Sequence, residues 1–313
     1  MPTTHSVDES IRVLAVPSYG AEDVLVGAYG HVFTGTEDGS IYELDPDTGE
    51  AKKLGETGGR PLGLEWLPDG RILICDARKG LLAFDPGSGE VEALVHEVAG
   101  RPMVFCNNAA VHTNGTIFFS DSSKRYSIDQ WKHDMVEDTH SGRLLQRNPD
   151  GAVSVLVEGL RFANGVALSQ DEAYVAVAET TGRTVVRRWL TGPKRGRVDH
   201  LATDLPGYPD NIARGSDGLI WVTIGSPPDT TLEKVLWKVP TALRMQALRL
   251  PDKVQPQPQR TARVIAYDDA GRVVHDRNLQ ADEFHMVTGV REHDGRVWLG
   301  SLHESAVACF DVN

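Results

Sequence analysis

An all-β, six-bladed β-propeller with four-stranded blades is the fold this sequence predicts, and three observations carry it. A tight turn followed by an apolar strand recurs six times along the 313 residues. About four short strands fall within each repeat. The last repeat stops one strand short, after SAVACFDVN, while an unpartnered strand, Ile11–Val16 (IRVLAV), lies near the start. A single four-stranded unit cannot bury both of its faces. Units set radially bury each other, and the early strand closes the ring by completing the last blade.

The repeats follow in order. YGHVFTG, around Gly30, leads into SIYELDP and AKKL; PDGRILICD, around Gly70, leads into GLLAFDP and EVEALV. TNGTIFFSD, around Gly115, is followed by GRLLQRN and VSVLVEG. QDEAYVAVA is the fourth copy, with Glu172 in the glycine place; SDGLIWVTI (Gly218) and HDGRVWLGS (Gly295) are the fifth and sixth. Most of these turns are Asp-Gly or Asn-Gly, the dipeptides that favour two-residue hairpins. Two stretches break the strand pattern: 127–140 (SIDQWKHDMVEDTH) and 231–250 (TLEKVLWKVPTALRMQALRL). Both read as helical insertions, the second around Pro240, forming a lid over the channel mouth. Trp237, Leu243 and Met245 would wall an apolar pocket there, or simply pack. VQPQPQR beyond them reads as an exposed loop. The whole of 1–313 forms one domain on this reading.

Composition narrows the function. The formal net charge is −12 and the pI near 5.4, so nucleic acid, which needs clustered Lys and Arg, is not an expected partner. No apolar run approaches the roughly 18 residues of a membrane span, and MPTTHSVDES lacks the charged-then-apolar pattern of a secretory signal. Cys75, Cys106 and Cys309 each have apolar neighbours and read as reduced, buried thiols rather than a disulfide framework. A cytoplasmic protein acting on a small molecule is the expectation, and the sequence leaves its oligomeric state open.

Stepping back eight residues from each turn glycine or its substitute gives Glu22, Leu62, Asn107, Asn164, Asp210 and Val287. Positions in one register of the innermost strands face the central channel at one height. Four of the six carry side-chain oxygen where strands usually carry apolar groups. A lone Asn or Asp near a strand start is more often a turn residue; four at one offset are a set. Two carboxylates and two amides make a hard, all-oxygen site of charge −2. That suits Ca²⁺, with another divalent cation as the alternative, whereas Zn²⁺ would want His or Cys. Asn108 and Asn211, one residue further on, are weaker supporting candidates. Cys106 alternates away from the channel into the core.

The stretches GRPLGLEW, CDARKGLLAFD, FFSDSSKRY, GRLLQRNPDG, GLRFANGVALSQDE, RRWLTGPKRGR and LPGYPDNI resemble the strictosidine synthase-like family, from about Gly20 to the C-terminus. That family sits in the wider superfamily of regucalcin/gluconolactonase, diisopropylfluorophosphatase and paraoxonase. The resemblance implies a six-bladed propeller with channel calcium held by Glu22, Asn107, Asn164 and Asp210, the four residues that the register also selects. It also marks a departure. The catalytic Glu of the synthase falls on Thr288, in HMVTGVREHDG, and Thr is no base near neutral pH; the plant enzyme's paired cysteines are absent too.

The expected activity is therefore calcium-dependent hydrolysis of an ester-type bond, foremost a lactone, with aryl esters and phosphotriesters left open. Asp210 would serve as ligand and as general base or nucleophile; His285, two residues before a counted ring position, is the alternative base. No nucleophile-elbow motif accompanies Ser120, Ser122 or Ser123. Two other readings stand beside it: a metal-free condensing enzyme or lyase on the synthase scaffold, and a non-catalytic binding propeller.

Overall fold

The computed structural model describes residues 11–228, 238–249, 259–279, 282 and 284–312. Six four-stranded antiparallel sheets surround one axis. Blade 1 runs through Leu25–Val26, Val32–Gly35, Ser40–Leu44 and Ala51–Glu56; blade 2 through Pro61–Trp66, Ile72–Asp76, Gly80–Phe84 and Val91–Val95. Blade 3 holds Cys106–Val111, Ile117–Asp121, Gly142–Arg147 and Val153–Leu160, and blade 4 holds Ala163–Leu168, Tyr174–Glu179, Thr184–Trp189 and Val198–Ala202. Blade 5 holds Tyr208–Arg214, Ile220–Ser226, Ala262–Tyr267 and Val273–Leu279. In blade 6, Val287–His293, Arg296–Ser301 and Ala306–Asp311 are joined by Arg12–Ala15, which pairs antiparallel with the last of them. The early strand thus closes the ring as the missing fourth strand.

The core lies between blades. Leu25, Phe33 and Ile41 of blade 1 pack on Leu64, Ile72, Ile74, Leu82 and Phe84 of blade 2, and equivalent clusters fill the other joints. Second strands are buried throughout, as in Ile72–Asp76, because both faces meet a neighbour. Outermost strands such as Ala51–Glu56 alternate towards solvent and read as Lys- and Glu-rich. The three cysteines are free and buried, as expected. Among the described residues, no helix is long and apolar enough to cross a membrane.

One irregularity repeats in every innermost strand. Two residues face one on the neighbouring strand at Leu62-Gly63, Asn107-Asn108, Asn164-Gly165, Asp210-Asn211 and Thr288-Gly289. Blade 1 has the same bulge at Glu22-Asp23, where the Glu22 N–H donates to Gly35 O ahead of the Leu25–Phe33 pairing. Bulges re-aim side chains, and a bulge repeated at one height makes a ring. This corrects the counted register in blade 6: the sixth ring member is Thr288, not Val287. His293 pairs directly with Arg296, a tighter hairpin than the one from Trp66 to Ile72 in blade 2, so counting back from Gly295 lands one residue early.

Both insertions join the second strand of a blade to its third, which places them at the end of the channel where innermost strands begin. Residues 127–140 form a 3-10 turn, Ile128–Gln130, and the helix α1, Trp131–Glu137. Asp134 anchors α1 by accepting hydrogen bonds from Ser123 Oγ (2.5 Å) and Thr139 Oγ1 (2.7 Å). In the second insertion the described part contains helix α2, Thr241–Ala247, which packs against α1. Trp237 lies outside the described residues. Leu243 is 62% exposed and walls no pocket. The apolar wall is supplied instead by the first insertion: Ile128, Trp131 and Met135 pack on Leu62, Ala77, Phe105 and Phe162.

Candidate metal centre

Each proposed ligand is the first residue of its bulge, so its side chain turns into the ring instead of continuing the strand alternation. Glu22, Asn107 and Asn164 are 3–4% exposed; Asp210 is partly buried. A buried polar atom ordinarily has a partner, and each that lacks one calls for a reason. Glu22 Oε2, Asn107 Oδ1 and Asn164 Oδ1 are buried with no hydrogen-bond partner, and so is Asn211 Oδ1. Four unpartnered oxygens therefore belong to one set of channel residues. Among the described residues no three His, Cys, Asp or Glu side chains gather as a ligand group, so a cation here must draw on amide oxygen, as the sequence pattern implies.

A chain of contacts brings the four predicted ligands together. Asn211 Nδ2 donates to Glu22 Oε1 (3.2 Å), and the Asn164 amide hydrogen-bonds the Asp210 carboxylate. Asn107 Nδ2 donates to Ser122 Oγ (3.0 Å), whose own proton goes to Ala163 O (2.7 Å), the carbonyl next to Asn164. The other two ring positions are not oxygen donors towards the axis. Leu62 joins the apolar wall, and Thr288 Oγ1 donates to Glu22 O (2.7 Å). The backbones crowd closely: a Cβ on Gly165 would lie 2.0 Å from Ile212 N and 2.5 Å from Asn211 Cα, so only glycine fits beside Asn164.

The electrostatics of the set are unfavourable by themselves. Burial, then the Asp23 and Asp210 charges, push the Glu22 carboxyl well above its ordinary range, against the pull of Arg60 and Asn211. Burial and the Asp23 charge push Asp210 up to about 7, against its hydrogen bond from Asn164. Carboxylates so placed either hold protons or need a cation. The donor set, its unpartnered oxygens and its charge fit a divalent ion with oxygen preference, with Glu22, Asn107, Asn164 and Asp210 as holders and Asn211 as a fifth oxygen.

Sequence reasoning underrated Asn211. It also missed Ser122 and Thr180, whose hydroxyls accept the Asn107 and Asn164 amide protons (3.0 and 3.1 Å); three serines stand together in FSDSS, and nothing in the string singles out one. The contacts of His285 lie away from the ring. Its Nδ1 pairs with Glu304, Arg260 Nη1 lies 3.3 Å from its Nε2, and its ring packs on His303. Alternation from the strand does not reach it, because Met286 between has φ 51°.

Comparison with known proteins places this geometry. The family described as strictosidine synthase matches residues 107–193, which include two ring positions. Protein STRICTOSIDINE SYNTHASE-LIKE 13 of Arabidopsis thaliana is 39% identical over 60% of this chain, and this chain spans 47% of that relative. Protein STRICTOSIDINE SYNTHASE-LIKE 10 of the same plant is 33% identical over 84% of the chain and 72% of the relative. Adipocyte plasma membrane-associated protein of Salmo salar is 32% identical over 93% and 77%. Among solved structures, a gluconolactonase of Xanthomonas campestris covers 97% of the chain and 89% of its own at a TM-score of 0.70 and 15% identity. Regucalcin of Agrobacterium tumefaciens, described as a calcium-binding protein, covers 97% and 94% at a TM-score of 0.67 and 14% identity. At such identity these two show the shared fold alone. The two relatives matched over most of both lengths decide the kinship: this chain belongs to the strictosidine synthase-like family.

Proposed function

We propose that the protein is a calcium-dependent hydrolase of small carboxylic esters, with lactones as its foremost substrates. The observation that carries the proposal is the set of buried, unpartnered oxygens on Glu22, Asn107, Asn164 and Asn211. Leaving such atoms unpaired costs about 1–3 kcal/mol each, a cost with no structural return unless a cation collects them. The calcium-binding regucalcin and the gluconolactonase of the same fold support the direction of the reading. A Ca²⁺ held by these residues would supply Lewis-acid polarisation of the ester carbonyl and stabilise negative charge on its oxygen.

This chain's own groups supply the rest. Asp210, the one predicted ligand that is only partly buried, is the carboxylate suited to take a proton from water. Glu304 holds His285 at Nδ1, and Arg260 Nη1 can only donate towards Nε2, so His285 would serve as the base only once Arg260 withdraws. Leu62, Phe105, Phe162 and Trp131 give one side of the mouth an apolar wall for the acyl or alcohol part. Thr288 spends its proton on Glu22 O. The position that holds the synthase base therefore offers none, which weighs against amine condensation.

Thermal melting and hydrolysis of aryl esters and lactones, with calcium and with chelator, test the proposal. A higher melting temperature with calcium and calcium-dependent turnover are expected. Melting unchanged by calcium together with no turnover would leave a binding propeller as the reading. Turnover that survives chelation would point to a metal-free enzyme.

A further inference from the structure

An asparagine is a metal ligand only through Oδ1, and its amide can turn by half a revolution at little cost in packing. A buried Asn ligand therefore needs something to decide which atom faces the ion. Ser122 decides it for Asn107. The Ser122 hydroxyl has one proton, and that proton is committed to Ala163 O at 2.7 Å. Towards Asn107, 3.0 Å away, Ser122 can only accept, so it selects the NH₂ and turns Oδ1 to the channel.

Asn164 is held in the same sense. Its Nδ2 donates to Thr180 Oγ1 at 3.1 Å, so the Thr180 oxygen takes the NH₂ and leaves Oδ1 over. In both cases the oxygen left over is the unpartnered one. Ser122 and Thr180 occupy one structural place, just past the end of the second strand of blades 3 and 4. Blade 2 makes the comparison: its ring residue is Leu62, and Ala77, just past the second strand, packs against Leu62 with no hydroxyl at all. The hydroxyl is present where the ring residue is an amide and absent where it is aliphatic.

We infer that Ser122 and Thr180 are positioning residues that set the amide orientation of Asn107 and Asn164 and thereby tune affinity for a divalent cation. The inference rests on the calcium reading of the ring and adds to it a control point that touches neither ion nor substrate. Groups that orient ligands in this way typically change metal affinity by about 10- to 100-fold when removed.

Calcium titration calorimetry on the full chain, after chelation and desalting, tests it. Ser122→Ala and Thr180→Val should each raise the calcium Kd by about tenfold or more, and Ser122→Thr should restore it. The decisive step is a double-mutant cycle with Asn107→Asp. A carboxylate presents oxygen whichever way it turns, so Ser122→Ala should change the Kd by less than about threefold in that background. A Kd unchanged by Ser122→Ala and Thr180→Val, or a Ser122→Ala effect equally large beside Asn107→Asp, overturns the inference while leaving calcium binding intact. Wild-type protein that binds no calcium overturns both this inference and the reading beneath it. Thr180→Val keeps the side-chain shape and provides the reading should Ser122→Ala fail to fold.

Discussion

Two adjacent residues in the same bulge meet opposite fates. The first members, Glu22, Asn107 and Asn164, end in oxygens with no partner. Second members in alternate blades are equally polar and equally buried, yet two of the three have their oxygens satisfied. Asp23 Oδ2 accepts the Leu64 N–H at 2.9 Å, and Asn108 Oδ1 accepts the Val166 N–H at 2.9 Å. Each thus crosses to the next blade, and a glycine of the preceding blade makes room for it: Gly63 beside Asn108, Gly165 beside Asn211, Gly289 beside Asp23. Hydroxyls on the second strand add a further tie, as Thr34, Ser120 and Thr223 donate to the carbonyls of Asp23, Asn108 and Asn211. The same residue types therefore fasten blades in one tier and leave oxygen free in the tier above it. Asn211 belongs to both, since its Nδ2 reaches Glu22 while its Oδ1 stays unpartnered.

The largest expected effect lies in the upper tier. Asp210→Asn keeps an oxygen for the cation but removes a proton acceptor; ester turnover should fall about 10²- to 10⁴-fold while calcium still raises the melting temperature. Turnover equal to wild type would take the base role from Asp210 and give it to His285. In the lower tier Asn108→Ala leaves the Val166 N–H buried without its acceptor. It should lower stability by about 1–3 kcal/mol in denaturant unfolding, equally with calcium and with chelator. A loss seen only with calcium would merge the two tiers into one ion site.

Asn164→Ala should do the reverse, leaving the chelated protein near wild type in stability and removing most of the calcium-induced rise in melting temperature. The smallest effect concerns pH. Glu22 is raised well above its ordinary value and Asp210 to about 7, so folding favours their protonated forms. The Asp210 contribution is complete below about pH 4, the unfolded carboxyl range, and is lost as pH rises through about 7, and that of Glu22 is lost in the same direction. Chelated protein should therefore melt progressively lower across that window, and calcium should flatten the slope. A chelated protein whose melting temperature is level from pH 4 to 8 would remove the carboxylate strain from the account.

Much of this was legible in the sequence, because four turn glycines and Glu172 in the place of a fifth mark the same bulge in five blades at a constant offset. The count slipped only in blade 6, where a shorter hairpin moves the register by one and puts Thr288 in the ring. The ligand residues could be read since an amide before a glycine, as in Asn164-Gly165, is a poor strand element without a special use. Their supports could not. Ser122 meets Asn107 across two strands whose pairing shifts between Cys106 and Ala109, and the turn count that finds the bulge does not say which hydroxyl reaches it. His285 shows the converse error, since strand alternation was carried through Met286, where the backbone turns left-handed.

The closing strand has a consequence for the ion. Arg12–Ala15 is zipped to Ala306–Asp311, and Glu22 follows it at the seam where the first and last blades meet. Across that seam Thr288 donates to Glu22 O, and Gly300 is kept bare by the same carbonyl, 2.4 Å from where its Cβ would stand. One ligand thus follows directly on the strand whose pairing inside blade 6, a joint without a covalent link, closes the circle. An ion gripping Glu22 together with Asp210 and Asn164 would clamp that joint, and a joint that sprang open would release the ion. Latching the circle and loading the metal become one equilibrium, viewed from its two sides.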